Sequence, residues 1–410
     1  MLVDFMDRKF KKDYRIFDVI VLIFVIAMGI GVRLVFVDAR FPDYIVCLKP
    51  WVEAFREYGG FHGLAYEIGN YTPAYMHFLM LFSYFDMEPL YLIKGLAILM
   101  DFVLAFVAAA FLSQGRSKQV FISVFTIVLM IPTVITNSGV WGQCDNFYTT
   151  FLIAALYFSL RDIDKKICKI GKVDIALKTE DVVMFFVGLA FSFKLQTVFL
   201  LPVLVILFLK KRWRLTSLLW VPFVYGLTIL PSFLAGRGMK DLLTIYFRQT
   251  GDFSELTLAY PNIYDLWQNE EFGTAFSWVC MLFCGMGLVL VVYYLYNHAF
   301  FVNVEFLSLF TCFSVMFITY FLPHMHDRYG YIADILSIYV LLYDKRKAPL
   351  PFLLIIISMM TYARSLLWFS YDNMYLAGSL VRAALILYMG KMLTDYVSRE
   401  ESRLKSGKKT

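Results

Sequence analysis

Three short polar segments stand out in this otherwise apolar chain, because their residue types can do chemistry. They occupy positions 41–44, 141–146 and 323–329, and each lies at the end of a long hydrophobic run. Together they hold carboxylates, imidazoles, a guanidinium, an amide and aromatic rings. Ionisable groups held at membrane depth are costly, so they are functional candidates by default. If the segments converge on one face, they predict an enzyme site at a membrane surface.

Asp43 lies a few residues beyond the first hydrophobic run, next to Pro42 and Tyr44. A carboxylate at a membrane interface, partly shielded from bulk water, can act as a general base. A turn Asp before a loop helix is the structural alternative. Tyr44, and Tyr71 farther along the chain, are candidates for contacts with a bound ligand.

Trp141, Gln143 and Asp145 belong to the second segment. An aromatic face, an amide and a carboxylate together suit the binding of a polar ring. Asp145 is also placed to cap the helix that follows it. Capping does not explain why a Trp and a Gln accompany the Asp, so we expect these three residues to bind a polar ring.

The third segment combines two imidazoles, a carboxylate and a guanidinium, at His324, His326, Asp327 and Arg328. The spacing His-x-His-Asp is a weak metal signal on its own. Arg offers a fixed fork of donors that suits a phosphate. We therefore expect Arg328 and Lys194 to bind a phosphate, with His324 or His326 assisting. A polar turn between two helices is the alternative.

The composition requires that these segments be positioned by membrane helices. Of the 410 residues, 60% are hydrophobic, and apolar runs of about 20 residues recur along the chain, which is the length needed to cross a hydrocarbon core. The six cysteines show no metal-ligand spacing and are interpreted as small hydrophobes. The net charge of +6 comes from short loops and does not indicate nucleic-acid binding.

We predict an all-α polytopic membrane protein, a single domain over 1–410 with about twelve transmembrane helices and two long external loops, 38–89 and 236–274. A shorter apolar stretch, 71–85, is interpreted as an interfacial helix within the first loop. The expected spans are 16–37, 90–112, 119–136, 147–160, 181–193, 197–209, 215–235, 275–297, 304–322, 328–343, 349–370 and 376–396.

The distribution of Lys and Arg orients these spans. With both termini inside, 25 basic residues fall in cytoplasmic segments and eight in external ones, so the positive-inside rule fixes the orientation. The three polar segments then share the external face. Three charged residues, Asp101, Arg364 and Arg382, fall within spans, and the sequence does not say which of them pair.

Taken together, these motifs resemble a known family. An Asp shortly after the first helix, Tyr-Thr-Pro at 71–73, Trp-Gly-Gln-x-Asp at 141–145 and His-x-His-Asp-Arg-Tyr at 324–329 resemble the C-type (GT-C) membrane glycosyltransferases. The nearest branch is the glycosylphosphatidylinositol mannosyltransferase-like proteins of bacteria. The resemblance runs over most of the chain, is fairly specific for the superfamily and is unspecific for the sugar.

The resemblance implies an inverting transferase in a bacterial cell membrane. Its donor is a polyprenyl-phosphate-linked sugar, mannose or another hexose, and its acceptor is a lipid-linked or cell-surface glycan. An acidic residue of the first external loop activates the acceptor hydroxyl, and Asp43 matches that position, while Asp145 matches the second acidic position of the family. Under the same resemblance the sugar or the acceptor is bound by the remaining polar and aromatic candidates, which are Trp141, Gln143, Asp145, Tyr44, Tyr71 and Asp327. Because no Asp-x-Asp is present, metal-independent transfer is the expectation and a divalent metal the alternative.

Two other classes of function compete with a transferase. A transporter or flippase for lipid-linked sugars would also be all-helical with intramembrane charges, but it should show internal repeats and broken helices near mid-membrane. No repeat is visible, and the polar segments collect at one face. A non-catalytic scaffold of a cell-surface polymer complex would be favoured by loss of acids such as Asp43, which is present.

Overall fold

The chain folds almost entirely into helices, which confirms an all-α membrane protein. The computed structural model describes residues 16–170, 173–249, 255–266, 273–368 and 372–406, without the side chains of 167–170, 173–175 and 372. The basic segment expected before residue 16 lies outside the described residues, as do 250–254 and 267–272 of the second long loop. The α-helices are α1 (Ile16–Leu34), α2 (Lys49–Glu57), α3 (Pro73–Phe82), α4 (Pro89–Leu112), α5 (Lys118–Met130), α6 (Pro132–Ile135), α7 (Asp145–Ser159), α8 (Thr179–Phe193), α9 (Leu201–Lys211), α10 (Trp220–Ala235), α11 (Met239–Leu243), α12 (Ile245–Gln249), α13 (Gly273–Asn297), α14 (Val304–Phe321), α15 (Tyr331–Leu336), α16 (Tyr339–Tyr343), α17 (Pro349–Leu367) and α18 (Asp372–Lys405).

Seven helices in the described part of the chain are long and apolar enough to cross a membrane. They differ in burial, because 83% of α14 is buried against only 17% of α1 and α13, so α14 is central and the other two are peripheral. The seven segments are Ile16–Leu34, Pro89–Leu112, Leu215–Ala235, Gly273–Asn297, Val304–Phe321, Lys345–Leu367 and Asn373–Lys405.

The remaining expected spans are short or interrupted. Helices α7 and α8 have 15 residues each and α9 has 11, so at 1.5 Å per residue none reaches the ~30 Å of a hydrocarbon core. The expected span 328–343 is divided between α15 and α16. The count of twelve therefore stays a prediction.

The third expected span is broken. Helices α5 and α6 meet at a 54° bend after Met130, where Pro132 cannot donate a backbone hydrogen bond. A π-helical turn, Thr136–Val140, follows directly and leads into the segment 141–146. The break therefore sets the direction in which the second polar segment leaves the helix bundle.

Two small β elements accompany the helices. Strands β1 (Asp164–Ile170) and β2 (Val173–Lys178) form an antiparallel hairpin where the sequence predicts a basic loop. Farther along, β3 (Thr257–Leu258) pairs in parallel with β4 (Met325–His326). This second pairing ties the second long loop to the third polar segment.

The first long loop contains a short helix, α2, followed by a turn at Gly59 with a φ of 76°. Its apolar stretch forms α3, which at 10 residues is too short to cross a membrane. The two long loops dock through ion pairs. Glu67 of the first loop lies 3.1 Å from Arg248 and 3.8 Å from Arg237 of the second.

The structure identifies the partners of the charges within the helices. Asp101 pairs with Arg33 at 2.7 Å, and both side chains are fully buried. Arg382 donates to Thr319 Oγ1 at 2.7 Å, and its guanidinium lies 4.0 Å from the ring centroid of Tyr260. The guanidinium of Arg364 lies over the ring of Tyr375.

Candidate functional site

The three polar segments converge into one cluster of charges. Asp43 begins a π-helical turn, Asp43–Leu48, after the end of α1. Its side chain is 38% exposed, whereas those of Asp145 and Asp327 are 1% and 8% exposed. The side-chain amide of Gln143 donates a short hydrogen bond to the Asp43 carboxylate. Asp43 is therefore the accessible acid of the cluster and is held in one orientation.

Backbone hydrogen bonds fix the segment that carries Gln143. The N–H groups of Trp141, Gly142 and Gln143 donate to the carbonyls of the preceding π-helical turn at 2.8–3.0 Å. Gly142 has a φ of 75°, in the left-handed region that a residue without a Cβ adopts at least cost. The chain thus turns tightly enough for α7 to begin at Asp145.

The carboxylate of Asp145 contacts two cationic side chains and one side-chain amide. Lys194 Nζ lies 2.5 Å from one carboxylate oxygen, and Asn137 Nδ2 donates to the other at 2.9 Å. Arg328 Nη1 lies 3.8 Å from that second oxygen. This geometry fits a counter-ion that brings two cations together. The sequence-based role of Asp145 in sugar or acceptor binding stays a prediction.

Arg328 lies among three carboxylates, yet part of its hydrogen-bonding capacity is unfilled. Its Nε is 3.3 Å from Asp327, and its Nη1 is 3.8 Å from Asp145 and 4.0 Å from Asp43. Charge-assisted N–H···O bonds are shorter, about 2.7–2.9 Å, and both nitrogens lack a hydrogen-bond partner among the described residues. The guanidinium also lies 4.8 Å from the ring centroid of Trp141.

The α17 helix supports Asp327, a contribution that the sequence reasoning missed. Ser365 donates a short hydrogen bond to the Asp327 carboxylate, and Thr361 Oγ1 donates to its backbone carbonyl at 2.9 Å. The ring of Tyr362 packs edge-on against Trp141. Small polar residues four positions apart on an apolar helix were the available signal for this face.

Burial raises the pKa of the Asp327 carboxyl to about 6, against the opposing effect of the Arg328 charge. Burial, with Arg328 and then Lys194, lowers the pKa of His326 to about 3. His326 is therefore neutral at physiological pH and contributes no positive charge to the site. Its ring packs against that of Tyr329.

The side chains of His324 and Tyr44 form their hydrogen bonds with loop residues outside this charge cluster. The Nδ1 of His324 bonds to the carbonyl of Glu255 at 2.7 Å, which ties the residue to the second long loop. Tyr44 is 2% exposed, and its hydroxyl donates a short hydrogen bond to Glu88. Both contacts anchor loops, so the geometry supports His324 less as a phosphate ligand and Tyr44 less as a sugar ligand than the other predicted residues.

Tyr71 reaches the cluster from the first long loop. Its hydroxyl donates to Gln143 Oε1 at 3.2 Å, and Lys194 Nζ lies 5.9 Å from its ring centroid. Tyr71, Gln143 and Asp43 thus form a chain of contacts from the loop to the broken helix. Arrangements of three or more His, Cys, Asp or Glu suited to a metal ion do not occur among the described residues.

Comparisons with known proteins add no identity. No protein-family model, no curated protein and no solved structure matches this chain.

Proposed function

We propose that this chain is an inverting membrane glycosyltransferase. It moves a hexose, mannose or another, from a polyprenyl-phosphate donor to a lipid-linked or cell-surface glycan. One observation carries the proposal: two cations, Lys194 and Arg328, share the buried carboxylate of Asp145 directly beside the accessible carboxylate of Asp43. Such an arrangement suits a reaction in which an anionic group leaves while a hydroxyl loses a proton.

The first half of this chemistry belongs to Asp43. The acceptor hydroxyl attacks the anomeric carbon from the face opposite to the phosphate, and its proton passes to the Asp43 carboxylate. Gln143 supports this role because its hydrogen bond orients the carboxylate without removing its charge. The 38% exposure leaves room for an acceptor to approach.

The second half belongs to the cations. The bond between the anomeric carbon and the phosphate oxygen breaks, and the phosphate takes the electron pair as it leaves. Preorganised cations at the position of developing charge are a large source of rate acceleration. Arg328 suits this role because its Nε and Nη1 lack hydrogen-bond partners among the described residues. Asp145 lowers the repulsion between the two cations before the donor arrives.

Aromatic and amide groups around the charges suit a sugar ring. Trp141, Tyr71 and Gln143 all contact members of the cluster, and rings of this kind stack on the apolar faces of sugars. Asp327, half-ionised near pH 6, is both a hydrogen-bond donor and an acceptor for a sugar hydroxyl. Transfer needs no metal in this scheme, because the cationic side chains take the role of the ion.

The site is proposed to face the outside of a bacterial cell. A chain with twelve spans and both termini inside puts 25 Lys and Arg on the cytoplasmic side and eight outside. The two long loops, 38–89 and 236–274, are then both external, and the donor is presented in the outer leaflet.

A transporter of lipid-linked sugars is the competing proposal. The break between α5 and α6 is a feature that transporters share. The nearby charges of Arg33 and Asp101, however, are fully buried and paired with each other, so they offer no open binding site. The two cations held by Asp145 beside Asp43 favour cleavage of a sugar–phosphate bond over movement of an intact lipid-linked sugar across the membrane.

The test is transfer by the purified protein in liposomes. We expect loss of sugar from a synthetic polyprenyl-phosphate hexose, with release of polyprenyl phosphate, only when an acceptor glycan is supplied. Mass spectrometry of surface glycopolymers, with and without this gene, identifies the product. Movement of an intact donor between leaflets, without cleavage for any hexose and acceptor tried, would reject the transferase in favour of the transporter.

A further inference from the structure

The buried ion pair between Arg33 and Asp101 lies next to the candidate site but does not belong to it. We propose that Asp101 is a positioning residue that fixes the segment 139–145 by holding Ser138 at its start and Asn146 at its end. The structural part of this inference stands alone, and its catalytic part rests on the proposed transferase function.

Both carboxylate oxygens of Asp101 accept hydrogen bonds from the two anchors, Ser138 and Asn146. Ser138 Oγ donates a short hydrogen bond to Oδ2, the oxygen that Arg33 Nε contacts at 2.7 Å. Asn146 Nδ2 donates to Oδ1 at 2.8 Å and to the carbonyl of Ala97 at 2.7 Å. All of these side chains except that of Ala97 are fully buried and polar, so water does not compete for the bonds.

The segment between the two anchors carries the site. Gln143 reaches Asp43 from it, and Asp145 holds Lys194 at its end. A shift of either anchor therefore moves the orienting amide relative to the base and the counter-ion relative to the cations. Displacement of a reacting group by about 1 Å can cost roughly 100-fold in rate.

Arg33 supports the same segment from the other side. Its Nη2 donates to the carbonyl of Leu129 at 2.9 Å, just before the bend that Pro132 introduces. A Cβ on Gly139 would lie 3.0 Å from the Cβ and Cγ of Arg33. A side chain at this position would therefore crowd the arginine stem, which would have to shift by a few tenths of an ångström.

The free-energy cost of burying Arg33 and Asp101 indicates that the pair positions the segment 139–145 and does not merely fill space. Removing two charges from water is expensive, and apolar residues of similar volume often replace a buried pair without loss of stability. A pair that only filled space would therefore be dispensable. Here Asp101 has two further hydrogen bonds, and both lead to the site segment.

The first test measures the segment without any substrate. Cys144 lies in it and is 1% exposed, so its rate of modification by N-ethylmaleimide reports opening. Combined Ser138→Ala and Asn146→Ala removes both anchors and keeps the ion pair. We expect modification at least about tenfold faster, since hydrogen bonds to charged groups contribute strongly. The background carries Ala at the other cysteines, Cys47, Cys168, Cys280, Cys284 and Cys312.

The control for this measurement is Ser358→Ala. Ser358 is also buried and donates to a buried carboxylate, that of Asp334, at 3.0 Å, so Ser358→Ala removes an equivalent bond away from the segment. Its Cys144 should stay protected. If the double variant does not fold, Arg33→Met with Asp101→Leu, which replaces the pair by apolar residues, takes its place.

The second test measures kcat per folded protein, with the folded amount taken from size-exclusion chromatography. Without its anchors Gln143 no longer orients Asp43, so we expect kcat to fall by roughly 100-fold. Loss of folded protein would instead lower the yield and leave kcat per folded protein unchanged. Unchanged Cys144 protection overturns the positioning role. If Cys144 is modified fast in the double variant but the wild-type protein transfers no sugar, the positioning role of Asp101 stands and the transferase proposal is rejected.

Discussion

Gln143 donates its side-chain amide to the carboxylate of Asp43, one hundred positions earlier in the chain. Together with the hydrogen bond from Tyr71 to Gln143 Oε1, this contact joins the first long loop to the segment that follows the broken helix. It orients the proposed base towards the two cations that share Asp145.

Asp43→Asn keeps the size of the side chain and its hydrogen bonding but removes its basicity. We expect the rate of sugar transfer to fall by at least about 100-fold, the scale of general-base catalysis, while donor binding persists. Asp86→Asn, at an exposed acid of the same loop, is the control and should transfer at the wild-type rate. Near-normal turnover by a folded Asp43→Asn protein would remove Asp43 from the mechanism.

Arg328→Lys tests the phosphate contact. Lys keeps the positive charge but lacks the planar fork, so it is a poor substitute at a bidentate site. We expect affinity for a polyprenyl-phosphate analogue to fall clearly in Arg328→Lys and further in Arg328→Ala, measured by fluorescence titration. The control is Arg346→Lys, at a side chain that is 90% exposed. Wild-type affinity in Arg328→Ala would mean that the guanidinium only holds the turn.

Chelation tests the absence of a metal requirement. Because Lys194 and Arg328 supply positive charge at the proposed leaving group, we expect EDTA to leave the transfer rate unchanged. Activity lost with EDTA and restored by a divalent ion would show that carboxylates of this cluster bind a metal during turnover.

Donor affinity should depend on pH through Asp327. The pKa of its buried carboxyl is about 6, so the group is neutral below pH 6 and carries a charge above it. Once ionised it competes with the phosphate for Arg328, and affinity for a phosphodiester donor of constant charge should fall at least about threefold from pH 5 to pH 7.5. Asp327→Asn should flatten this profile, and an unchanged profile in that variant would contradict the assignment.

The raised pKa of Asp327 also makes the stability of the folded protein depend on pH. The folded-state pKa of Asp327 lies above its ordinary value of 3.8. The stabilisation by its neutral form is therefore complete below pH ~4 and is lost as the pH rises through about 6. Thermal unfolding in detergent should show wild type losing more stability over this interval than Asp327→Asn.

Topology is tested by cysteine accessibility in a cysteine-free background. We expect an impermeant maleimide, applied to intact cells, to label Glu53→Cys in the first external loop and to leave Lys118→Cys unlabelled. The reason is the concentration of Lys and Arg in the segments assigned to the cytoplasm. Labelling of Lys118→Cys from outside would show that the spans have the opposite orientation, with the candidate site on the cytoplasmic face.

The sequence by itself determined the class of the molecule and singled out most residues of the candidate site. Apolar runs and their flanking charges specify membrane helices because transfer into a hydrocarbon core depends on local composition. The rarity of ionisable groups in such a chain singled out Asp43, Asp145 and Arg328, and the structure brings all three together.

Only the tertiary structure decided how the charges are partnered. Asp101 pairs with Arg33 rather than with Arg364 or Arg382, and Asp145 neutralises Lys194. The supporting hydroxyls of α17 and the hairpin β1–β2 were likewise missed. A pairing over tens of residues depends on which helix faces meet, and helix packing, unlike helix formation, is not encoded in any local window.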